Sequence, residues 1–255
     1  MNDAIDRKYR APALEKGLDI LELLAGSREP MSLNQISAKL DRSVSELFRM
    51  VQVLEFRGYV GIAGSGEGYV LTNRLFAVGM RRAPTKDLVE AALPVMRKLA
   101  EKVHQSCHIA VASGDQMVVV ARVEAPGDLG FSVRIGYRIA LISSASGLVL
   151  YAFQPELVRT EWKARLSEGV SRRAWVNFEH RGHLARKAGY LTVESTAVDG
   201  VIDLSAPVMQ FSTVAAALTI PYVRTAQSLT AAETVAEVVR AAKEIAKDLA
   251  GAETS

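Results

Sequence analysis

Two serines, each placed three residues before a glutamine or a glutamate, mark the starts of two neighbouring helices. Ser32 precedes Gln35 and Ser43 precedes Glu46, the capping-box spacing in which each side chain bonds a backbone amide of the other residue. A helix is predicted before them in APALEKGLDILELLAG, and the strand-like segments YVGIA and GYVLT follow them around the glycine-rich tip GSGEG. Three helices followed by a hairpin, in this order, predict a winged helix-turn-helix.

The helix that begins after Ser43 is predicted to enter the major groove of DNA with its N-terminal part. Arginine and glutamine suit base edges or phosphates, and hydroxyls at a helix start suit phosphates. The residues predicted to contact DNA are Ser43, Ser45, Glu46, Arg49 and Gln52 on this helix and Ser65 at the hairpin tip. Two roles are open for Glu46, because it completes the capping box and could also accept a hydrogen bond from a cytosine amine. A unit that serves only in protein contacts is the structural alternative.

A short helical piece and a breaker separate this unit from the rest of the chain. The segment NRLFAVGM is followed by RRAP, in which proline disfavours a continuing helix. We therefore divide the chain into a winged helix-turn-helix domain at 1–71, a linker helix at 72–85 and a second domain at 86–255.

Helical and strand-like segments alternate in the second domain. A helix over KDLVEAALPVMRKLAEKV is predicted to bend or restart at Pro94. Strands are predicted in CHIAVAS, QMVVVARVEA, FSVRIGY, YLTVES, VIDLSAPV and TVAAALTI. Further helices are predicted in SASGLVLYAF, near 156–166 and 178–188, and in AAETVAEVVRAAKEIAKDLA. This order indicates an α+β fold with a mainly antiparallel sheet.

The composition excludes several classes of protein. Apolar residues make up 49% of the 255 residues, an ordinary value for a globular chain. No run approaches the roughly 18 apolar residues of a membrane helix, and the N-terminus lacks a signal-peptide core. The single Cys107 excludes an internal disulfide, so we expect a cytoplasmic protein with no membrane partner. Because the net charge is only +3, DNA binding must come from the motif rather than from bulk charge.

The chain resembles the isocitrate lyase regulator (IclR) family along nearly its whole length. Residues 11–80 resemble that family's winged helix-turn-helix through ALEKGLDILELLA, SLNQISAKL, LFRMVQVLEFRGYV and YVLTNRLFAVG. Residues 85–222 resemble its effector domain through HIAVASGDQMVVVARVEA, RIGYRIALISSASGLVLYAF, AGYLTVESTAVDGVIDLSAPV and AAALTIPY. The resemblance implies a transcription regulator, a homodimer or homotetramer, that binds a small effector, frequently a carboxylate, in a GAF-like α/β domain. It implies no cofactor.

The family's loop before a helix in the effector domain corresponds here to ISSASG. The residues carried over as effector contacts are Ser143, Ser144, Ala145, Ser146 and Gly147. Hydroxyls and free amides at a helix start favour a carboxylate. Ordinary capping of the helix by a serine is the alternative.

Three further effector contacts carried over from the family are Thr196, Asp203 and Thr219. Asp203 occupies a position where the family commonly has a small cysteine, and Pro221 one where a second serine is common. A carboxylate at Asp203 repels an acid unless it pairs with a hydroxyl, a cation or its own proton. A hydroxyl-rich ligand, such as a sugar acid, would satisfy both Asp203 and the serines.

Two other functions compete with a ligand-responsive regulator of a palindromic operator on double-stranded DNA. A small-acid-processing enzyme fused to a DNA-binding module is one, but no G-x-S-x-G motif surrounds Ser144 or Ser146. A protein-interaction adaptor is the other, and it predicts no footprint on DNA. His104 and His108 have the spacing for a metal site on one helical face, although the helix is predicted to end near them. We expect no metal there, and packing or effector contact is the alternative.

Overall fold

The chain folds as two units, and the computed structural model describes residues 11–27, 29–64, 68–80, 84–127 and 130–252. The division lies between Ala83 and Pro84, within the segment that we assigned to the linker. Within the described ranges, no helix is long and apolar enough to cross a membrane.

The first unit has the predicted order of three helices and a hairpin. Its elements are α1 (Pro12–Ala25), α2 (Leu33–Leu40), α3 (Val44–Phe56), β1 (Val60–Ile62), β2 (Tyr69–Leu71) and α4 (Arg74–Met80). Both capping boxes are present, at Ser32 with Gln35 and at Ser43 with Glu46. The short turn between α2 and α3 is possible because Asp41 adopts a left-handed conformation with φ of 51°, which aspartate tolerates better than most residues. Ile20, Ile36, Leu47 and Val51 are completely buried between the three helices.

Glu46 joins the start of α3 to α1. Its Oε2 accepts hydrogen bonds from the backbone amide of Ser43 at 3.2 Å and from the Ser43 hydroxyl at 3.0 Å. Its Oε1 accepts a hydrogen bond from Lys16 Nζ at 2.8 Å, and Lys16 lies on α1. The Lys16 bond and then the Ser43 bonds lower the pKa of Glu46 to about 2. The capping role of Glu46 is therefore present in the fold without any DNA.

The second unit is built on a six-stranded antiparallel sheet with the strand order β5-β4-β3-β8-β7-β6. Its strands are β3 (Cys107–Ser113), β4 (Gln116–Val123), β5 (Arg138–Ala140), β6 (Leu191–Glu194), β7 (Ile202–Gln210) and β8 (Thr213–Tyr222). Its helices are α5 (Pro84–Val103), α6 (Ala145–Ala152), α7 (Glu156–Leu166), α8 (Arg172–Ala188) and α9 (Ala231–Ala252). The predicted α+β class and antiparallel sheet are confirmed, and the architecture is consistent with a GAF-like domain.

The two faces of this sheet have different neighbours. Alternate residues of a strand point to opposite faces, and Leu204 and Leu218 belong to a core that includes α5 and α9. Ala110 and Ala217 belong to the core of the other face, together with α6 and α8. His108, Ser205 and Thr219 are paired in the sheet register and lie on the same face as Ala217, which is the face that carries the pocket described below.

One prediction about the second unit was wrong. FSVRIGY does not form a strand, because the chain turns at Gly136 (φ 83°) and the strand β5 starts only at Arg138. Of the two outcomes predicted at Pro94, a bend or a restart, the restart does not occur, because helix α5 runs through the proline with Ala92 and Met96 on both sides of it buried in the core. His104 lies beyond the end of α5, whereas His108 lies on β3, so the two imidazoles do not share a helical face. No group of three or more metal-binding side chains occurs among the described residues.

Helix α6 lies close to the turn before it, and Gly147 makes this approach possible. A Cβ added at Gly147 would lie 2.2 Å from the carbonyl oxygen of Leu141. Overpacking against fixed backbone typically costs about 1–3 kcal/mol or more. We expect Gly147→Ala to lower the free energy of unfolding by at least that amount, measured by urea denaturation of the whole chain.

Gly17 on α1 is the matched control for this substitution. A Cβ at Gly17 would meet no atom within 4 Å, and alanine favours a helix interior over glycine by about 1 kcal/mol. Gly17→Ala should therefore stabilise the protein. Equal effects of the two substitutions would contradict the role assigned to Gly147.

The Lys16–Glu46 pair predicts a dependence of stability on pH. Because folding lowers the pKa of Glu46 from 4.5 to about 2, its contribution is complete above pH 4.5 and is lost as the pH falls towards 2. Glu46→Gln keeps a residue that can complete the capping box but removes the charge. The difference in urea midpoint between the wild type and Glu46→Gln should shrink on acidification, and a difference independent of pH would contradict the ion pair.

Candidate ligand pocket and nucleic-acid interface

Helix α3 presents the predicted DNA-contacting residues to solvent. Ser43 and Glu46 form its exposed start, and Ser45, Arg49 and Gln52 follow on its exposed surface. Spacings of four and three residues place Ser45, Arg49 and Gln52 on one side of a helix. Ser65 lies outside the described residues.

Sequence reasoning missed Phe48, an exposed aromatic residue near the start of the same helix, and placed Val44, which is also exposed, on the buried face. The side chain of Phe48 is 45% exposed, although its apolar character predicts burial. An aromatic side chain in this part of the helix is suited to contact a thymine methyl group. The signal was available in the sequence, because Phe48 lies outside the apolar stripe formed by Leu47, Val51 and Leu54.

The second unit contains a cavity of about 300 Å³ next to the start of α6. Of the eight residues predicted to contact an effector, seven line it: Ser143, Ser144, Ala145, Ser146, Thr196, Asp203 and Thr219. Gly147 is not part of the lining, and its position is explained by the close contact with Leu141. The structure therefore brings together residues from three separate parts of the sequence.

Buried hydroxyls and one imidazole form a hydrogen-bonded chain that starts at Ser205, outside the cavity lining, and forms the floor of the cavity at Thr219, Ser146 and His108. Thr219 lies beside both His108 and Ser205 in the sheet register. The Thr219 hydroxyl is 2.7 Å from Ser205 Oγ and 2.9 Å from Ser146 Oγ, and Ser146 Oγ is 3.3 Å from His108 Nε2. Burial lowers the pKa of His108 to about 4, so its imidazole is neutral near pH 7. These hydrogen-bonded side chains therefore make the floor of the cavity polar but uncharged.

The start of α6 forms one wall of the cavity. Ser144 Oγ accepts a hydrogen bond from the Gly147 amide at 3.0 Å, so this serine does cap the helix, as the alternative interpretation held. Ala145 and Ser146 are the first helical residues, and amides at these positions lack an acceptor within the helix. The positive end of the helix dipole is therefore directed to the cavity wall. The Thr196 hydroxyl donates to the Ser143 carbonyl at 3.0 Å and holds the β6–β7 loop against this wall.

Asp203 places a carboxyl group in the same cavity. It lies on β7, opposite Val193 on β6 and Pro221 on β8. Burial raises the pKa of Asp203 to about 6, and a hydrogen bond from the Ser195 side chain opposes this shift. No ion pair to Asp203 occurs among the described residues.

Several lining residues were missed from the sequence. His108, for which effector contact was only an alternative, could have been placed in the lining from strand alternation, because it shares a sheet face with Thr219. Arg134 and Tyr137 are exposed and line the cavity from the segment wrongly predicted as a strand. Ser195 also lines the cavity, from the loop after β6, and nothing in the sequence pattern indicated it.

Comparison with known proteins identifies the protein family of both units. Residues 81–250 match the family model described as "Bacterial transcriptional regulator IclR C-terminal", and residues 13–61 match the "IclR helix-turn-helix domain". The chain is 29% identical over 215 residues to the HTH-type transcriptional regulator KdgR of Dickeya chrysanthemi, covering 81% of this chain and 69% of that protein. It is 28% identical over 140 residues to the HTH-type transcriptional repressor AllR of Escherichia coli K12, covering 55% of this chain and 52% of that protein.

Solved structures share the whole fold. An IclR homolog from Microbacterium hydrocarbonoxydans, crystallised with 4-hydroxybenzoate, has a TM-score of 0.75 at 22% identity, covering 94% of this chain and 99% of that one. An IclR regulator from Alicyclobacillus acidocaldarius has a TM-score of 0.74 at 20% identity, with coverage of 95% and 99%. Since the two family models match the two units in the observed order, this chain belongs to the IclR family of DNA-binding transcriptional regulators, which are not enzymes.

Proposed function

We propose that this regulator binds a palindromic operator as a homodimer or homotetramer in the cytoplasm, and that a small carboxylic acid in the cavity controls operator affinity. The observation that carries the effector proposal is the cavity itself, with the start of α6 in its wall and a neutral polar floor. Such a site suits a carboxylate at the helix start and hydroxyls elsewhere, as in a sugar acid.

Charge at the mouth of the cavity supports an acidic effector. Arg134 is exposed and is the cation among the described lining residues, so it can attract an anion before the anion reaches the helix start. The bound 4-hydroxybenzoate of the Microbacterium homolog, which has a carboxylate and a hydroxyl, fits the same chemical description.

The operator proposal depends on the exposed surface of α3. Two copies of this helix, related by a twofold axis, would contact half-sites separated by about one helical turn of DNA or a multiple of it. The adaptor alternative is distinguished from this proposal by a footprint, because an adaptor protects no DNA.

We expect Arg49→Ala to weaken operator binding about tenfold or more, since one good contact with a base or a phosphate contributes about 1–3 kcal/mol. The measurement is a footprint and a mobility-shift titration on the DNA upstream of the gene. Lys187→Ala removes one exposed positive charge from α8 in the second unit and should leave affinity unchanged. Unaltered binding by Arg49→Ala would contradict the proposed interface.

We expect gluconate, as a representative sugar acid, to raise the melting temperature and to change operator affinity. Val198→Trp should abolish both responses while keeping operator binding, because Val198 is 40% exposed and lines the cavity, where a larger side chain would fill it. Val176→Trp, at an exposed position of α8 outside the cavity lining, is the matched control. If sugar acids alter neither quantity in the wild type, the sugar-acid proposal is wrong.

A further inference from the structure

Among the described residues that line the cavity, Asp203 carries the carboxylate group. The proposed binding of an acidic effector does not by itself explain why a carboxylate lies there. An acidic effector would share a cavity of about 300 Å³ with this group. Two carboxylates enclosed together repel each other strongly, because the surrounding protein screens them less than water does. The presence of Asp203 therefore constrains which acids the cavity can hold.

The charged and titratable neighbours do not neutralise Asp203. Arg134 and Tyr137 lie in the lining with it, and His108 is neutral. Arg181 and Glu194 reach a second cavity of about 20 Å³ that Asp203 also lines. None of them forms an ion pair with Asp203 among the described residues. A ligand that enters the cavity therefore meets a carboxylate whose charge no ion pair neutralises.

The hydrogen-bonding capacity of Asp203 is only partly used. The Ser195 side chain supplies one hydrogen bond, whereas a carboxylate has room for about four. An unsubstituted acid would offer only C–H groups and would leave this half-buried carboxylate desolvated, with the Ser195 bond alone, which is costly. A hydroxyl on the ligand supplies the missing donor. Sites with a buried polar group strongly reject ligands that lack its partner.

We propose that Asp203 determines the specificity of this pocket by accepting a hydrogen bond from a hydroxyl of the bound acid, so that hydroxylated acids bind in preference to unsubstituted acids of the same length. This inference rests on the proposed effector function and adds the residue that selects the ligand. Asp203 differs from the other buried polar groups of the lining in its charge, because the hydroxyls of Ser146 and Thr219 already bond each other and the unpartnered Nδ1 of His108 belongs to a neutral imidazole. Leaving a charged group without a partner costs more than leaving a neutral one.

The test compares gluconate with hexanoate, two acids with chains of equal length that differ in their hydroxyls. Isothermal titration calorimetry on the full chain should show the wild type binding gluconate at least tenfold more tightly than hexanoate. Asp203→Val removes the acceptor with a side chain of similar size that suits a strand. It should lose at least tenfold in gluconate affinity and gain in hexanoate affinity, which reverses the preference.

Two further variants complete the design. Asp199→Asn removes one negative charge from the exposed loop between β6 and β7, where Asp199 does not line the cavity, and should keep the wild-type preference. If Asp203→Val does not fold, as judged by circular dichroism, Asp203→Asn decides. It removes the charge but keeps the shape, so it should bind hexanoate severalfold more tightly than the wild type.

The proposal is overturned if the wild type fails to prefer gluconate, if it binds neither acid, or if the preference persists in Asp203→Val. Where Asp203→Val does not fold, it is overturned if Asp203→Asn binds hexanoate no more tightly than the wild type. Operator titrations with the same proteins separate this inference from the proposed function. An Asp203-dependent preference without any change in operator affinity would support the selectivity and refute the regulatory role of the cavity. A change in operator affinity with no dependence on Asp203 would support the regulatory role of the cavity and refute the selectivity assigned to Asp203.

Discussion

The close approach of helix α6 to the turn before it is the contact on which the second unit depends. Because Gly147 has no side chain, the backbone of α6 can come against the Leu141 carbonyl, and all eight residues of the helix are buried. This burial brings the Ser146 hydroxyl to Thr219 on the sheet and leaves the start of the helix in the wall of the cavity. One contact between backbone atoms therefore positions both the core and the polar floor.

The parts of the fold that follow local rules were predictable from the sequence, and the parts set by distant contacts were not. The starts of α2 and α3 were predicted because Ser32 and Ser43 act on amides three residues away. The segment FSVRIGY alternates like a strand, but its conformation depends on β4, where Val119 exchanges backbone hydrogen bonds with Gly136 and Tyr137. Periodicity carries no information about such a partner, so the strand prediction failed there.

The residues of the candidate site also fall into those that the sequence predicted and those that depend on tertiary contacts. Seven of its residues came from resemblance to the family, because the order of motifs preserves which segments meet. His108 was instead considered as a metal ligand on a helix, since the end of α5 could not be placed to the residue. Arg134 and Ser195 lie on loops whose path is set by tertiary contacts. The physical state of Asp203 also required the structure, because burial and the Ser195 bond together set its pKa.

The neutral floor of the pocket has a consequence for how this protein can change. The hydrogen-bonded side chains from Ser205 to His108 are buried, uncharged and shared with the core, so a substitution there disturbs folding and the shape of the cavity together. Arg134 and Asp203 carry the charge of the described lining and contribute little to the core. Under the proposed function, exchanging these two side chains would change which acid the cavity selects while the buried hydrogen-bonded side chains stay in place.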